Sequence, residues 1–227
     1  TFENVLQKYP NSNEADAALD YVKNIFIQEQ KAGEYAAFAQ RFGKAVAINE
    51  ADSLSYLAVN NYYNNKQFDK ALPAIEQYLK QFPTGNYALQ ANYQAAFILQ
   101  QQKQYTAAVT YYQKVAEKAP NKYAEQALLQ AARINYFELK DIVTAESYFV
   151  QLKQYASTNE NKLEVMRGLL RCQYKQAKYS DALTNAQELL QQKNIATDDK
   201  MMANIVIAKT YQNNNQLLEA TNAYKQV

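Results

Sequence analysis

The stretch NKQFDKALPAIEQYLKQFP, residues 65–83, decides how this chain is read. Its apolar residues recur at helical spacing and Pro83 closes it, so it predicts an amphipathic helix. Much the same string returns as QKQYTAAVTYYQKVAEKAP at 102–120 and as QAKYSDALTNAQELLQQ at 176–192. Aligned on an apolar residue followed three positions later by alanine, the pairs Phe68/Ala71, Tyr105/Ala108, Ile142/Ala145 and Tyr179/Ala182 stand 37 residues apart. Leu217/Ala220 follows after 38. Seven residues beyond each leading residue come Ile75, Tyr112, Phe149, Ala186 and Tyr224; six before it come Tyr62, Leu99, Tyr136, Gln173 and Tyr211. A fixed period of this length signals stacked helix hairpins, each of which buries its broad faces only against its neighbours.

One residue resists this pattern. Pro73 lies inside the string, where a helix-interior proline costs roughly 3 kcal/mol. The other repeats carry Thr110, Ser147, Thr184 and Asn222 in that column, all polar, so the column is expected to face solvent. A helix that starts late, with Asp69 as its N-cap, would put Pro73 close to the first turn.

Composition agrees with an all-helical chain: four glycines and four prolines in 227 residues are too few for a many-stranded β protein. Basic and acidic residues nearly cancel, leaving a net charge of +2, which argues against a dedicated nucleic-acid binder. No run approaches the roughly 20 apolar residues of a membrane helix. The chain has no histidine, which removes Ser–His, Cys–His and most zinc arrangements. Its single cysteine, Cys172, lies between Arg171 and Gln173 and reads as a half-buried packing residue whose basic neighbours would lower the thiol pKa. The only adjacent acidic pair, Asp198–Asp199, follows Thr197 at the start of a helical pattern, the place of an N-cap. The glycines are isolated and form no phosphate-binding loop. The expectation is a protein that is no enzyme and needs no cofactor or metal.

From about residue 51 to the end, these residues resemble the tetratricopeptide repeat, a 34-residue helix–turn–helix with spaced small and aromatic positions and a closing proline. The resemblance implies a right-handed α-solenoid of antiparallel helix hairpins, with five repeats over 51–227, the last truncated. Three departures stand out. The first-helix tryptophan is replaced by Ser55, Asn92, Leu129, Met166 and Asn204; the position of the mid-helix glycine or alanine holds Val59, Ala96, Arg133, Leu170 and Ala208; and the period is three residues longer, in the helices or in the loops between repeats. Residues 1–50 read as a partial and divergent repeat. FENVLQKYP at 2–10 resembles an orphan second helix, Ser12 is the N-cap of a long helix over 12–30, and AGEYAAFAQRFGKAV at 32–46 has a second-helix pattern with Phe38 in the alanine slot. A chain whose ends fall inside hairpins is expected to be part of one longer, continuous array.

In this family the first helices line a groove, and the resemblance carries five positions per repeat onto this chain. The partner-binding candidates are Tyr56, Asn60, Tyr63, Asn64, Tyr93, Phe97, Gln100, Gln130, Phe137, Arg167, Arg171 and Lys175, and in the last repeats Tyr174, Met202, Ile205 and Lys209 as well. The groove therefore begins aromatic and amide-rich and turns basic, with Arg167, Arg171 and Lys175 on one helical face and Glu164 and Glu188 as the expected counter-charges. The family's carboxylate clamp needs a lysine where Tyr56 stands, although Asn60 suits it. The implied partner is a protein or peptide. The alternatives are a glycan stacked on Tyr56, Tyr63, Tyr93 and Phe97, or a passive spacer in a larger protein. The string 78–115 and the DSLSY of 52–56 are similar in style to envelope-associated bacterial members, Bacteroidetes-type chains among them, which implies a periplasmic or outer-membrane-associated setting, with the cytoplasm as the alternative.

Overall fold

The computed structural model of the 227-residue chain describes every residue except Gln30 and Asn194. The described residues form helices and turns and no strand. They gather into two compact units, Thr1–Lys103 and Gln104–Val227.

The first unit holds α1 (Phe2–Lys8), α2 (Asn13–Gln28), a 3-10 turn (Ala32–Glu34), α3 (Tyr35–Arg41), α4 (Ile48–Asn64), α5 (Phe68–Gln81) and α6 (Ala88–Gln101). Ser12 caps α2 as the sequence predicts, its Oγ accepting from the Ala15 N–H at 3.2 Å. The expected second helix over 32–46 is shorter than its pattern, because α3 stops at Arg41 and Gly43 turns the chain at φ +71°. Phe38, in the alanine slot, is buried with its ring 5.5 Å from Phe26 and 5.1 Å from Phe42. Beyond this divergent part, α4 packs against α5 and α5 against α6.

The second unit holds α7 (Tyr105–Ala116), α8 (Ala124–Arg133) running on into a π-helical turn (Ile134–Leu139), α9 (Ile142–Lys153), α10 (Asn159–Lys175), α11 (Tyr179–Leu190), α12 (Thr197–Asn213) and α13 (Leu217–Tyr224). Each of these helices packs on the next in the chain, and α10 also touches α12. Here the sequence lattice becomes a core. Ala108, Ala145 and Ala182 are fully buried, as is Ala71 in the first unit, and Tyr112, Phe149 and Ala186 lie beside them at 2% exposure or less. The small side chain lets neighbouring helices approach, and the ring fills the gap alongside. At Gly168 the approach is closer still, since an added Cβ would stand 2.4 Å from the Phe149 ring.

The turns joining first to second helices share one geometry. Lys66, Lys103, Lys140, Ala177 and Asn215 all have φ between 56° and 59°, and they recur with the period of the lattice. In the first repeat the Gln67 N–H bonds the Tyr62 carbonyl at 2.9 Å and the Lys66 N–H bonds that of Tyr63 at 3.0 Å. The same pair of bonds recurs at Ala177–Lys178 and at Asn215–Gln216. This is the Schellman closure, which is usually made by glycine. Three of the five positions hold lysine, whose charge suits the negative end of the helix it terminates.

The Pro73 column is exposed throughout, with Thr110, Ser147, Thr184 and Asn222. The late start at Asp69 is not what occurs: α5 begins at Phe68 with Gln67 as N-cap, matching the other second helices. Pro73 therefore lies past the first turn, and the Asp69 carbonyl loses its intrahelical donor on the wet side of the helix. The connection 82–87 between α5 and α6 carries Tyr87, which matters for the site below.

Candidate partner-binding groove

In the second unit, α10, α12 and the π-helical turn after α8 enclose a pocket of about 410 Å³. Met201, Met202, Ile205 and Val206 of α12 form its apolar floor, and Tyr136, Tyr174, Arg171, Lys175 and Asp198 surround it. Cations rest on its aromatic walls. The Lys175 ammonium stands 4.7 Å from the centre of the Tyr136 ring, and that of Lys209 stands 5.8 Å from the Tyr174 ring. Arg171 donates from Nε to the Met202 sulfur at 3.2 Å. Among the described residues, Arg171, Lys175 and Lys209 form no ion pair, and Asp198 is the one carboxylate that lines the pocket. The site is a greasy floor under a net positive rim.

Arg167 does not belong to that rim. Its Nε donates to Asp199 Oδ1 at 2.7 Å, its Nη2 donates to the other carboxylate oxygen, and its Nη1 lies 3.6 Å from Glu164. Glu164 in turn accepts from Arg133 Nε at 2.8 Å. Four alternating charges thus run Arg133–Glu164–Arg167–Asp199 from α8 through α10 to α12. The guanidinium beside Asp199 holds that carboxyl below the usual range, against the opposing effect of burial. Two expectations are corrected. Asp199 is no N-cap, because it is buried against Arg167 and α12 starts after Ala196 without a side-chain cap. Glu188 lies 3.8 Å from Lys153 rather than neutralising the arginine row.

Cys172 is also more deeply set than half-buried. It is wholly enclosed, and its pKa is pushed up to about 12, chiefly by burial and then by Glu146, with the basic neighbours too weak to reverse the shift. Such a thiol is inert at neutral pH.

In the first unit the aromatic candidates serve packing. Tyr56 is 5% exposed; its ring stacks on Tyr87 at 4.4 Å and 3°, meets Tyr78 edge-on, and its hydroxyl donates to Gln94 Oε1 at 2.9 Å. Its expected place as an open groove residue or a sugar platform is corrected, because Tyr87 covers the face. Tyr78 in turn donates to the buried Asp52, which also accepts from the Asn86 N–H at 2.7 Å. Burial and then that bond push the Tyr78 pKa up. Tyr63 and Phe97 are half-buried and close an aromatic triangle with Phe68, each pair about 6 Å apart with tilted or edge-on rings. Asn60, Tyr93 and Gln100 are half-buried and Asn64 is exposed. Elsewhere, Gln130 is half-buried on α8, and Phe137 projects from the π-helical turn at 45% exposure, edge-on to Tyr136.

Of the twelve candidates, then, Arg171 and Lys175 meet in one pocket, and the fourth- and fifth-repeat positions Tyr174, Met202 and Ile205 join them there. Position in the repeat did not single out Tyr136, Asp198 or Met201, which the helix packing brings to the same pocket.

Antiparallel helix hairpins with a period of 37 residues define a helical-repeat protein. Within it, residues 52–85 and 90–122 match the family Tetratricopeptide repeat. A comparison with curated proteins finds no match in sequence. Among solved structures the chain is similar to BtubC (BKLC) from P. vanneervenii, at 12% identity over 89% of this chain and 88% of that one, with a TM-score of 0.49. It is also similar to the nearly identical TPR-like repeats of a Podosopora anserina kinesin light chain candidate, at 17% identity over 76% and 90%, TM-score 0.48. A third is PilW, a type IV pilus biogenesis factor, at 13% over 95% and 93%, TM-score 0.46. Likeness at these scores carries no argument about site or partner.

Proposed function

We propose that the chain is a non-enzymatic scaffold that binds a protein partner, and that the pocket between α10, α12 and the π-helical turn after α8 captures a peptide or helical segment of it. Tetratricopeptide repeats serve protein–protein interaction, which supports the general reading. The observation that carries the specific one is the pairing of an apolar floor of Met202 and Ile205 with unpaired cations at Arg171 and Lys175. A core helix has no use for such cations, and a merely solvated face would have no floor. We place the scaffold in a cell-envelope assembly, periplasmic or outer-membrane-associated, on the resemblance of residues 78–115 to envelope-associated members alone. No described helix is long and apolar enough to cross a membrane.

Reversing charge at Arg171 and Lys175 tests the site. Capture of a discrete partner by the native chain, lost in the double variant with helicity unchanged, supports it. Undiminished capture rejects the site, and cell fractionation tests the setting.

A further inference from the structure

We propose a second binding site between the second helices α7 and α9, away from the first-helix groove, whose ligand is a small free molecule carrying a guanidinium on a short alkyl stem. The two helices border a pocket of about 400 Å³, toward the small end of the range of about 300–1,000 Å³ usual for small ligands. Tyr148 lines it with only 7% of its surface exposed, and its hydroxyl has no hydrogen-bond partner among the described residues. Buried tyrosine hydroxyls ordinarily have a partner, so this one marks a place where a ligand group can bond. Burial, and then Glu117, push its pKa up, so it stands as a neutral hydroxyl with free lone pairs.

The other polar groups of the pocket select the ligand. Gln113 Nε2 donates to Glu117 Oε1 at 2.8 Å, and Gln151 Nε2 donates to Ser147 Oγ at 3.4 Å. Both amides thus turn their NH2 groups along their own helices, and among the described residues nothing donates to their carbonyl oxygens. Glu117 is the one charged side chain that lines the pocket, and among the described residues it forms no ion pair. The nearest cation on α7, Lys114, rests on the Tyr111 ring instead. Since α7 ends at Ala116, the negative pole of its dipole lies at this wall. The positive pole of α9 is met by Asp141, which accepts from the Thr144 N–H at 3.0 Å. The pocket therefore offers acceptors from both helices around one unpaired carboxylate, which suits a planar cation with several N–H donors better than a point charge. Val143, 66% exposed, gives an alkyl stem an apolar rest.

The test titrates the whole 227-residue chain, with its valine methyl groups labelled for NMR, against four probes. These are butylguanidinium, butylammonium, the neutral pentanol, and a capped glycine–arginine–glycine peptide. Butylguanidinium is expected to shift the Val143 methyl signals saturably, with affinity falling as salt rises. Butylammonium should bind at least fivefold more weakly, pentanol should leave the signals in place, and the peptide should bind no more tightly than butylguanidinium. Glu117→Gln, which removes the charge, and Tyr148→Phe, which removes the hydroxyl and keeps the ring, are each expected to weaken butylguanidinium at least threefold at unchanged helicity. Glu76→Gln, on the second helix α5 of the other unit, leaves it unaltered. Shifts from pentanol equal to those from butylguanidinium, or full affinity in either pocket variant, overturn the proposal. Equal binding by butylammonium overturns the choice of a guanidinium. Binding of the peptide tenfold tighter than butylguanidinium overturns the free molecule as source and assigns the pocket to an arginine side chain of a protein. Absence of any shift at Val143 overturns the site and leaves the first-helix groove untouched.

Discussion

Arg167 of α10 and Asp199 of α12 form a bidentate ion pair, with Nε to Oδ1 at 2.7 Å, between side chains only 22% and 8% exposed. The pair ties consecutive first helices together beneath the rim of the groove. Its strength depends on pH in a definite sense. The folded-state pKa of Asp199 is lowered, by the Arg167 bond first, so the stabilisation is complete above the unfolded value of about 3.9 and is lost as pH falls through the folded value. Asp199→Asn is expected to cost about 2 kcal/mol at pH 7, the scale of a charged hydrogen bond. Urea midpoints of the two proteins should converge as pH drops from 6 toward 3; curves that stay parallel would show that the pair does not titrate as described.

Pro73 offers a gain. Because α5 starts at Phe68, restoring alanine at 73 returns an N–H to the Asp69 carbonyl on an exposed face with no neighbour to displace. Pro73→Ala is expected to stabilise the chain by about 1–3 kcal/mol in urea unfolding. A destabilised variant would mean that the ring has a structural task on the outer surface.

Ala177 closes α10 at φ +56° without any functional group to justify a left-handed conformation. Ala177→Gly should relieve about 1 kcal/mol of strain, partly offset by the greater freedom of glycine in the unfolded chain. Thermal unfolding of the variant checks this, and a lower Tm would contradict it.

Gly168 should tolerate nothing larger. Its missing Cβ makes room for the Phe149 ring, so Gly168→Ala forces that ring out of place and is expected to cost about 1–3 kcal/mol. Ala108→Leu, at a fully buried lattice position, should cost a similar amount. A neutral result at both positions would mean that the seams between helices are looser than described.

Much of the fold was legible because its cause is local and repeated. Helical periodicity and the alanine column record the same packing event several times over, and Ala71, Ala108, Ala145 and Ala182 proved fully buried. Features set by a distant partner were not legible. Asp199 looked like a cap because its true partner, Arg167, lies 32 positions away in sequence. The position of Tyr56 in the repeat points to the groove, but Tyr87, from the connection 31 residues on, lies flat on its ring. The left-handed turns carry no sequence mark, because lysine, alanine and asparagine stand where glycine would signal them. Within the site, Arg171 and Lys175 are legible as a basic helical face, whereas Tyr136 reaches it from the π-helical turn after α8, where its ring meets the Lys175 ammonium across 39 positions of sequence.

The first-helix groove of the second unit, and no other part of that unit, is proposed to hold the partner. Photo-crosslinking measures this directly, with a benzophenone amino acid placed in turn at Ile205 and Tyr174 in the pocket and at Gln187 and Val150, exposed on the second helices α11 and α9. One discrete adduct is expected from both pocket positions and none from the second helices. The same adduct from Gln187 or Val150, with the pocket positions silent, would contradict it.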